Sequence, residues 1–117
     1  MNQVEIEDRP KFMYRGLLID TGRNFIPLKN LRKMVDAMAF NKLNMFHWHL
    51  SDSNSFPFAS KRVPQVTAYG TYSSKKVYTP TDVLEFVQYA NLRGVKVIPE
   101  LDAPSHAGKL LRSSSNE

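Results

Sequence analysis

Residues 44–52 read NMFHWHLSD and decide the fold, because an apolar strand pattern ends there in polar side chains. In an extended strand alternate side chains share a face, so His47 and His49 point to the same side. Phe46 and Trp48 then point to the opposite side, where they can enter a core. The stretch therefore predicts a strand with one core face and one face that contributes histidines to a polar site.

Strand and helix patterns alternate on both sides of this stretch. Apolar runs predict strands at residues 12–19, 43–50 and 95–102. Apolar residues recur every three or four positions over residues 28–38, which predicts an amphipathic helix between the first two strands. Strands alternating with helices are typical of parallel βαβ units, so we predict an α/β fold. Near-continuous apolar strands also predict a sheet covered on both faces.

The connection between the second and third strands contains a long loop and a second helix. Residues 51–78 show no helical or strand period, and we predict a loop there; loops of this length are usually functional. Thr79 is the expected N-cap of the helix, followed by Pro80 and by Asp82 as the acidic member of a capping box. Gly94 is expected to end this helix in a left-handed conformation.

Composition favours one globular domain. The chain has 117 residues, of which 42% are hydrophobic, and it contains no cysteine, which excludes disulfides and thiolate metal sites. The sequence shows no signal peptide and no apolar run long enough for a transmembrane helix. The net charge of +5 comes from scattered basic residues rather than one patch, so we predict no nucleic-acid partner.

Polar residues gather where the predicted strands end. Glu100 and Asp102 share one face of the third strand, and His106 follows in a turn. The carboxyl ends of parallel strands meet at one edge of a sheet, where active sites are built. His47 and His49, together with Asp102 and His106, could be metal ligands, or the histidines could be hydrogen-bonded structural groups.

Two further residues are candidates for this edge. Glu100 and Asp102 should each disfavour ionisation of the other unless a cation lies between them, and Arg15 could supply that cation. Alternatively, Arg15 extends from the start of the first strand into solvent. Asp52 is either an ordinary loop acid or part of the site, because it follows the second strand closely.

Three motifs carry a resemblance to a known family. Residues 14–21 read YRGLLIDT, residues 46–58 contain FHWHLSDS and SFPF, and residues 97–106 read VIPELDAPSH. In this order they resemble the β-N-acetylhexosaminidases of the family-20 glycoside hydrolases. The resemblance covers residues 12–108, and the loop is most similar to the animal and insect chitooligosaccharide-degrading members.

The resemblance implies a fold and a reaction. It implies a (β/α)₈ TIM barrel, of which residues 12–108 would form the first three βα units and therefore an incomplete barrel. Residues 1–11 are then expected to be a leader or linker, and residues 109–117 a tail unlike the family. The family removes terminal N-acetylhexosamine from glycans or chitin oligosaccharides with retention, by a substrate-assisted mechanism without cofactor or metal. The catalytic Asp-Glu pair would lie beyond residue 117, so we expect the chain alone to be inactive.

The resemblance also implies roles for individual residues. Arg15 would bind sugar hydroxyls, and Asp52 and His106 would support the acid glutamate. The residues expected to shape the pocket are His47, His49, Glu100 and Asp102. The implied partner is a carbohydrate with a terminal N-acetylhexosamine, full-length members are often dimeric, and the implied location is lysosomal or extracellular. Two alternatives remain: a non-catalytic sugar-binding short form that uses Arg15 and the loop, and a metal-dependent barrel hydrolase.

Overall fold

A computed structural model describes residues 3–108, so the predicted tail at residues 109–117 lies outside the described residues. The elements in chain order are β1 (Gly16–Asp20), α1 (Leu28–Phe40), β2 (Met45–His49), α2 (Pro64–Gly70), α3 (Pro80–Asn91) and β3 (Lys96–Glu100). No helix among residues 3–108 combines the length and apolar character that a membrane span requires.

The three strands form one parallel sheet in the order β1-β2-β3. Its register places Gly16 beside Met45 and His49 beside Glu100, so all three strands end at the same edge. Each pair of neighbouring strands is joined through helical segments, as parallel pairing requires. The predicted α/β class with parallel βαβ units is confirmed for this part of the chain.

Helices α1 and α3 pack against one face of the sheet. Phe46 and Trp48 are fully buried there, and the Phe86 ring of α3 lies 5.2 Å from the Phe46 ring and 4.8 Å from the Trp48 ring, centroid to centroid. The buried residues that α1 adds to this core are Leu31, Val35 and Met38. The predicted core side of β2 is therefore confirmed.

The opposite face of the sheet is open in the described residues, and the expectation of cover on both faces is wrong for them. Leu18 of β1 lies on this face beside His47 and remains 54% exposed. Right-handed crossovers between neighbouring strands carry both helices to the same side, which leaves the second face without one. This open face carries the histidines.

The caps of α3 agree with the sequence. The Thr79 hydroxyl accepts a hydrogen bond from the Asp82 backbone N–H at 3.1 Å, and the Asp82 carboxylate accepts one from the Thr79 N–H at 2.8 Å. Gly94 has φ of +72°, and the following N–H, that of Val95, donates to the Ala90 carbonyl at 3.0 Å. The predicted capping box and left-handed glycine are confirmed.

One predicted boundary is wrong, and one helix was missed. β1 begins at Gly16 rather than at residue 12, and Phe12 and Met13 are 66% and 91% exposed. The apolar run continues beyond the sheet because the partner strand begins only at Met45. Helix α2 was missed inside the predicted loop, since it has seven residues, no side-chain cap and a single buried apolar side chain, Val66.

The rest of the long loop is anchored to the segment before α1. Tyr78 is 1% exposed, and its hydroxyl donates to the Ile26 carbonyl at 2.6 Å. Burial raises the pKa of Tyr78 to about 12, so the phenol stays protonated and keeps this hydrogen bond. The loop therefore leaves β2 and returns to α3 over a fixed path.

Candidate functional site

The carboxyl ends of the strands bring ionisable side chains together on the open face. The register pairs Asp20 with His49 and His49 with Glu100 across the sheet. Asp52 follows β2 and is 5% exposed, and Asp102 follows β3. The predicted gathering of polar groups at this edge is therefore present in the structure.

His49 is buried and held between two carboxylates. Its Nδ1 lies 3.2 Å from Asp20 Oδ1, and its Nε2 lies 3.3 Å from Asp102 Oδ2. A carboxylate on each side fixes the plane of the ring. His49 therefore links the end of β1 to the segment after β3.

His106 lies on the solvent side of the same cluster. Its Nδ1 is 2.7 Å from Asp102 Oδ2 and 3.8 Å from Asp52 Oδ2. The Asp102 backbone is fixed as well, because its N–H donates to Ser51 Oγ at 3.1 Å. Asp52 and His106, predicted as a supporting pair, are thus neighbours across the edge of the sheet.

Arg23 completes this arrangement, and the sequence reasoning missed it. Its Nη1 lies 2.7 Å from Asp20 Oδ2 and its Nη2 lies 3.0 Å from Asp52 Oδ2. The six side chains form a closed ring of contacts, which in order are Arg23, Asp20, His49, Asp102, His106 and Asp52. The signal that could have found it was an arginine three residues after the aspartate that ends β1.

The loop after β1 is pressed against the loop after β2. A Cβ on Gly22 would come within 2.8 Å of the Asp52 backbone nitrogen, so only glycine fits without movement. Ser55 Oγ donates to the Gly22 carbonyl at 2.6 Å, and the Thr21 N–H donates to the His49 carbonyl at 2.9 Å. These contacts place Arg23 next to Asp52.

His47 and Glu100 form a second pair beside the ring. His47 Nε2 lies 2.6 Å from Glu100 Oε2, and both side chains are about one-third exposed. With His49 and Asp102 already in the ring, the structure brings together all four residues predicted to shape the pocket. Their roles towards a substrate stay predictions.

Arg15 does not join the cluster. Its side chain donates to the carbonyls of Phe12, at 2.5 Å, and Lys42. Arg15 precedes β1, whose five residues span about 16 Å, so its guanidinium lies towards the amino end of the sheet. The expectation that Arg15 is the cation beside Glu100 and Asp102 is therefore wrong, because histidines contact both carboxylates instead. Its predicted sugar contact stays a prediction.

Two carboxylates of the ring, Asp102 and Asp20, have lowered pKa values. The hydrogen bond with His106 is the largest influence on Asp102 and, with smaller contributions from Glu100 and His49, lowers its pKa against the opposing effect of burial. Burial raises the pKa of Asp20, but the hydrogen bonds from Arg23 and the charge of His49 outweigh it, so the pKa of Asp20 is also lowered. Both groups therefore favour the folded state when ionised.

Stability is expected to fall in acid for this reason. A carboxyl with a lowered folded pKa stabilises the protein fully above its unfolded pKa of about 3.9 and loses that contribution as pH falls through the folded value. We expect the urea midpoint to drop as the pH falls below about 4, and Asp102→Asn to have a shallower drop. Asp8→Asn is the control, because it removes a carboxylate whose side chain is 63% exposed. Its urea midpoint should fall with pH as steeply as that of the unmodified chain. Equal slopes for all three proteins would contradict the prediction.

A parallel α/β sheet with a network of charged groups at the carboxyl ends of its strands has the architecture of an α/β enzyme. The chain matches the model of glycosyl hydrolase family 20, catalytic domain, over residues 12–116. It belongs to this family of glycoside hydrolases, as its three sequence motifs predicted.

Individual relatives agree with the family match. The chain is 51% identical over 106 residues to the β-hexosaminidase subunit β of Felis catus, covering 91% of this chain and 20% of the relative. It is 49% identical over 109 residues to the chitooligosaccharidolytic β-N-acetylglucosaminidase of Bombyx mori, covering 93% and 18%. The chain thus spans about a fifth of the length of these relatives.

Solved structures show the same local fold. A chitobiase from Flavobacterium johnsoniae superimposes with a TM-score of 0.84 at 34% identity, covering 90% of this chain and 16% of that one. The exo-β-N-acetylglucosaminidase of Vibrio harveyi in complex with N-acetylglucosamine gives 0.83 at 31% identity, covering 91% and 19%.

Proposed function

We propose that residues 12–108 are the first three βα units of a (β/α)₈ barrel and form part of the terminal-sugar pocket of a β-N-acetylhexosaminidase. The observation that carries this proposal is the closed ring of charged side chains at the carboxyl ends of the three strands. In a barrel this edge is where catalytic groups from different strands meet. The reaction is hydrolysis of a terminal N-acetylhexosamine.

The proposed chemistry assigns the nucleophile to the substrate. The oxygen of the 2-acetamido group attacks the anomeric carbon, the bond to the leaving oxygen breaks, and a glutamic acid protonates that oxygen. Water then attacks the anomeric carbon, the bond from that carbon to the acetamido oxygen breaks, and water gives a proton back to the glutamate. Two successive displacements at the anomeric carbon retain its configuration. The acid and its neighbouring aspartate are expected after a fourth strand, beyond residue 117.

Asp52 and His106 are proposed to hold that acid. Asp52 Oδ2 is buried without a well-aligned hydrogen bond, although Arg23 lies 3.0 Å away, so it can accept a hydrogen bond from the protonated carboxyl of a further acid. A negative charge beside the acid raises the acid's pKa and keeps it protonated for its task. His106, next to the same oxygen at 3.8 Å, would fix the acid's position.

Membership in the family also supports proposals about the substrate, the oligomeric state and the location of the complete enzyme. The substrate is a glycan, glycoconjugate or chitin oligosaccharide with a terminal N-acetylhexosamine, the complete enzyme is dimeric, and its location is lysosomal or extracellular. The Bombyx mori relative named for chitooligosaccharides supports the chitin class among these substrates.

A chimera tests the proposed function. Residues 12–108 would replace the matching segment of the Felis catus subunit β, which supplies the remaining barrel. We expect the chimera to release p-nitrophenol from p-nitrophenyl N-acetyl-β-glucosaminide, while the 117-residue chain alone releases none. The matched control substrate is p-nitrophenyl β-glucoside, which lacks the acetamido nucleophile and should not be hydrolysed. A chimera that folds, as judged by circular dichroism, but hydrolyses neither substrate would contradict the proposal.

A further inference from the structure

We propose that His49, Asp52 and His106 form a binding site for Zn²⁺ or a similar divalent transition metal, and that the metal inhibits the enzyme instead of serving it as a cofactor. The binding part of this inference rests on the geometry of the cluster alone. The inhibitory part rests on the proposed function, because it requires Asp52 and His106 to support an acid.

The ligand atoms already lie close together. One nitrogen from each histidine and one carboxylate oxygen of Asp52 fall within 4.8 Å of one another, and the Asp52–His106 pair is separated by 3.8 Å. Zinc bonds of about 2.0–2.1 Å in a tetrahedron put ligands about 3.3 Å apart. The widest pair therefore has to close by no more than about 1.5 Å, and His106, 45% exposed, has room to move.

The surroundings of His49 are suited to a metal ligand. Its Nδ1 faces Asp20 at 3.2 Å, and Asp20 is itself held by Arg23 at 2.7 Å. A carboxylate on one ring nitrogen fixes the tautomer and orients the other nitrogen towards a metal. The group beside that second nitrogen is Asp102, whose oxygen also contacts His106 and can serve as a fourth ligand.

Asp52 presents a buried carboxylate oxygen, Oδ2, to this cluster. The residue is 95% buried, and its Oδ2 has no hydrogen-bond donor aligned with it. A cation at the centre of the cluster would satisfy this oxygen. Arg23 Nη2, 3.0 Å from it, is a competing positive charge that limits the affinity.

The charge balance of the edge also favours a cation. Four carboxylates, those of Asp20, Asp52, Glu100 and Asp102, surround the histidines, and Arg23 is the guanidinium in contact with them. Metal binding requires neutral imidazoles, and with the histidines neutral a divalent ion would offset most of this excess negative charge. Imidazole and carboxylate ligands are the types that suit zinc and its neighbours in the transition series.

Binding there would remove the support of the catalytic acid. A metal on Asp52 and His106 takes the carboxylate and imidazole that the proposed function assigns to the acid glutamate. It also places positive charge beside that acid, which favours its deprotonated form and so opposes protonation of the leaving group.

Titration of the metal-stripped 117-residue chain with zinc chloride tests the site. We expect one Zn²⁺ per chain by calorimetry, and Co²⁺ should show the strong visible absorption of a four-coordinate site. His106→Ala and Asp52→Asn should each weaken binding at least 10-fold, with folding checked by far-UV circular dichroism. Two variants are used because Asp52 is buried and its replacement could disturb the fold.

The third histidine of the chain provides the matched control. His47→Ala removes an imidazole that pairs with Glu100 outside the proposed ligand set, and it should leave zinc affinity unchanged. Absence of saturable binding, or loss of binding in His47→Ala but not in His106→Ala, would overturn the site.

The chimera separates this inference from the proposed function. Hydrolysis in the presence of a chelator tests the enzyme without metal, and its absence would count against the proposed function only. If the chimera is active, added Zn²⁺ should reduce the rate at least 10-fold and the chelator should restore it. Full activity at zinc concentrations that saturate the chain would overturn the inhibitory role.

Discussion

Asp52→Asn is expected to lower kcat/KM of the chimera for p-nitrophenyl N-acetyl-β-glucosaminide by about 10–100-fold. A general acid contributes about 10²–10⁴-fold to a rate, and its supporting carboxylate carries part of that effect. Asparagine keeps the size of Asp52 but removes the charge that lies among Arg23, His106 and the proposed acid. The loss should fall on kcat, because the interaction is with the reacting acid rather than with the bound sugar.

The pH profile distinguishes this role from a merely structural one. Without the neighbouring negative charge, the acid has a lower pKa, so the alkaline limb of the profile should move to lower pH. Glu85→Gln is the matched control, since Glu85 is an exposed carboxylate of α3 that contacts Arg32. Unchanged kcat in Asp52→Asn, or an equal loss in Glu85→Gln, would show that Asp52 does not support the acid.

The part of the site that the sequence could predict follows from strand periodicity. His47 and His49 differ in parity from Trp48, so their separation onto opposite faces needs no tertiary information. Parallel strands end at one edge of the sheet, and this rule alone places Asp102 and Asp52 beside the histidines. The fold class depends on the same two regularities, which are local.

The missed features depend on how separate loops meet. In the sequence, Arg23 is an ordinary loop residue. It lies beside the Asp52 carboxylate only because Gly22 packs closely against the Asp52 backbone. The placement of Arg15 beside Glu100 and Asp102 was wrong because an apolar run does not reveal where a partner strand begins. Helix α2 gave too short a pattern to be recognised, with seven residues and little burial. For Arg23 and Arg15 the deciding contact joins segments distant in sequence, whereas the pattern of α2 is itself too weak.

The core that supports this site can be tested with one substitution at two positions. Phe86→Ala is expected to lower the free energy of unfolding by about 3–5 kcal/mol, the usual cost of removing a buried phenylalanine ring. Phe86 is fully buried in α3 and contacts the rings of Phe46 and Trp48, which lie on the core side of β2. Guanidinium denaturation followed by circular dichroism measures the change.

Phe40→Ala provides the control because Phe40, the last residue of α1, is 89% exposed. The same atoms are removed from a helix in both variants, but only Phe86→Ala leaves a cavity, so Phe40→Ala should cost no more than about 0.5 kcal/mol. Since the ring of Phe86 lies behind the strand that presents His49, its loss should also loosen the cluster on the opposite face. Similar costs for the two variants would mean that the face of β2 carrying Trp48 is not the core, and the placement of the histidines on the open face would fail with it.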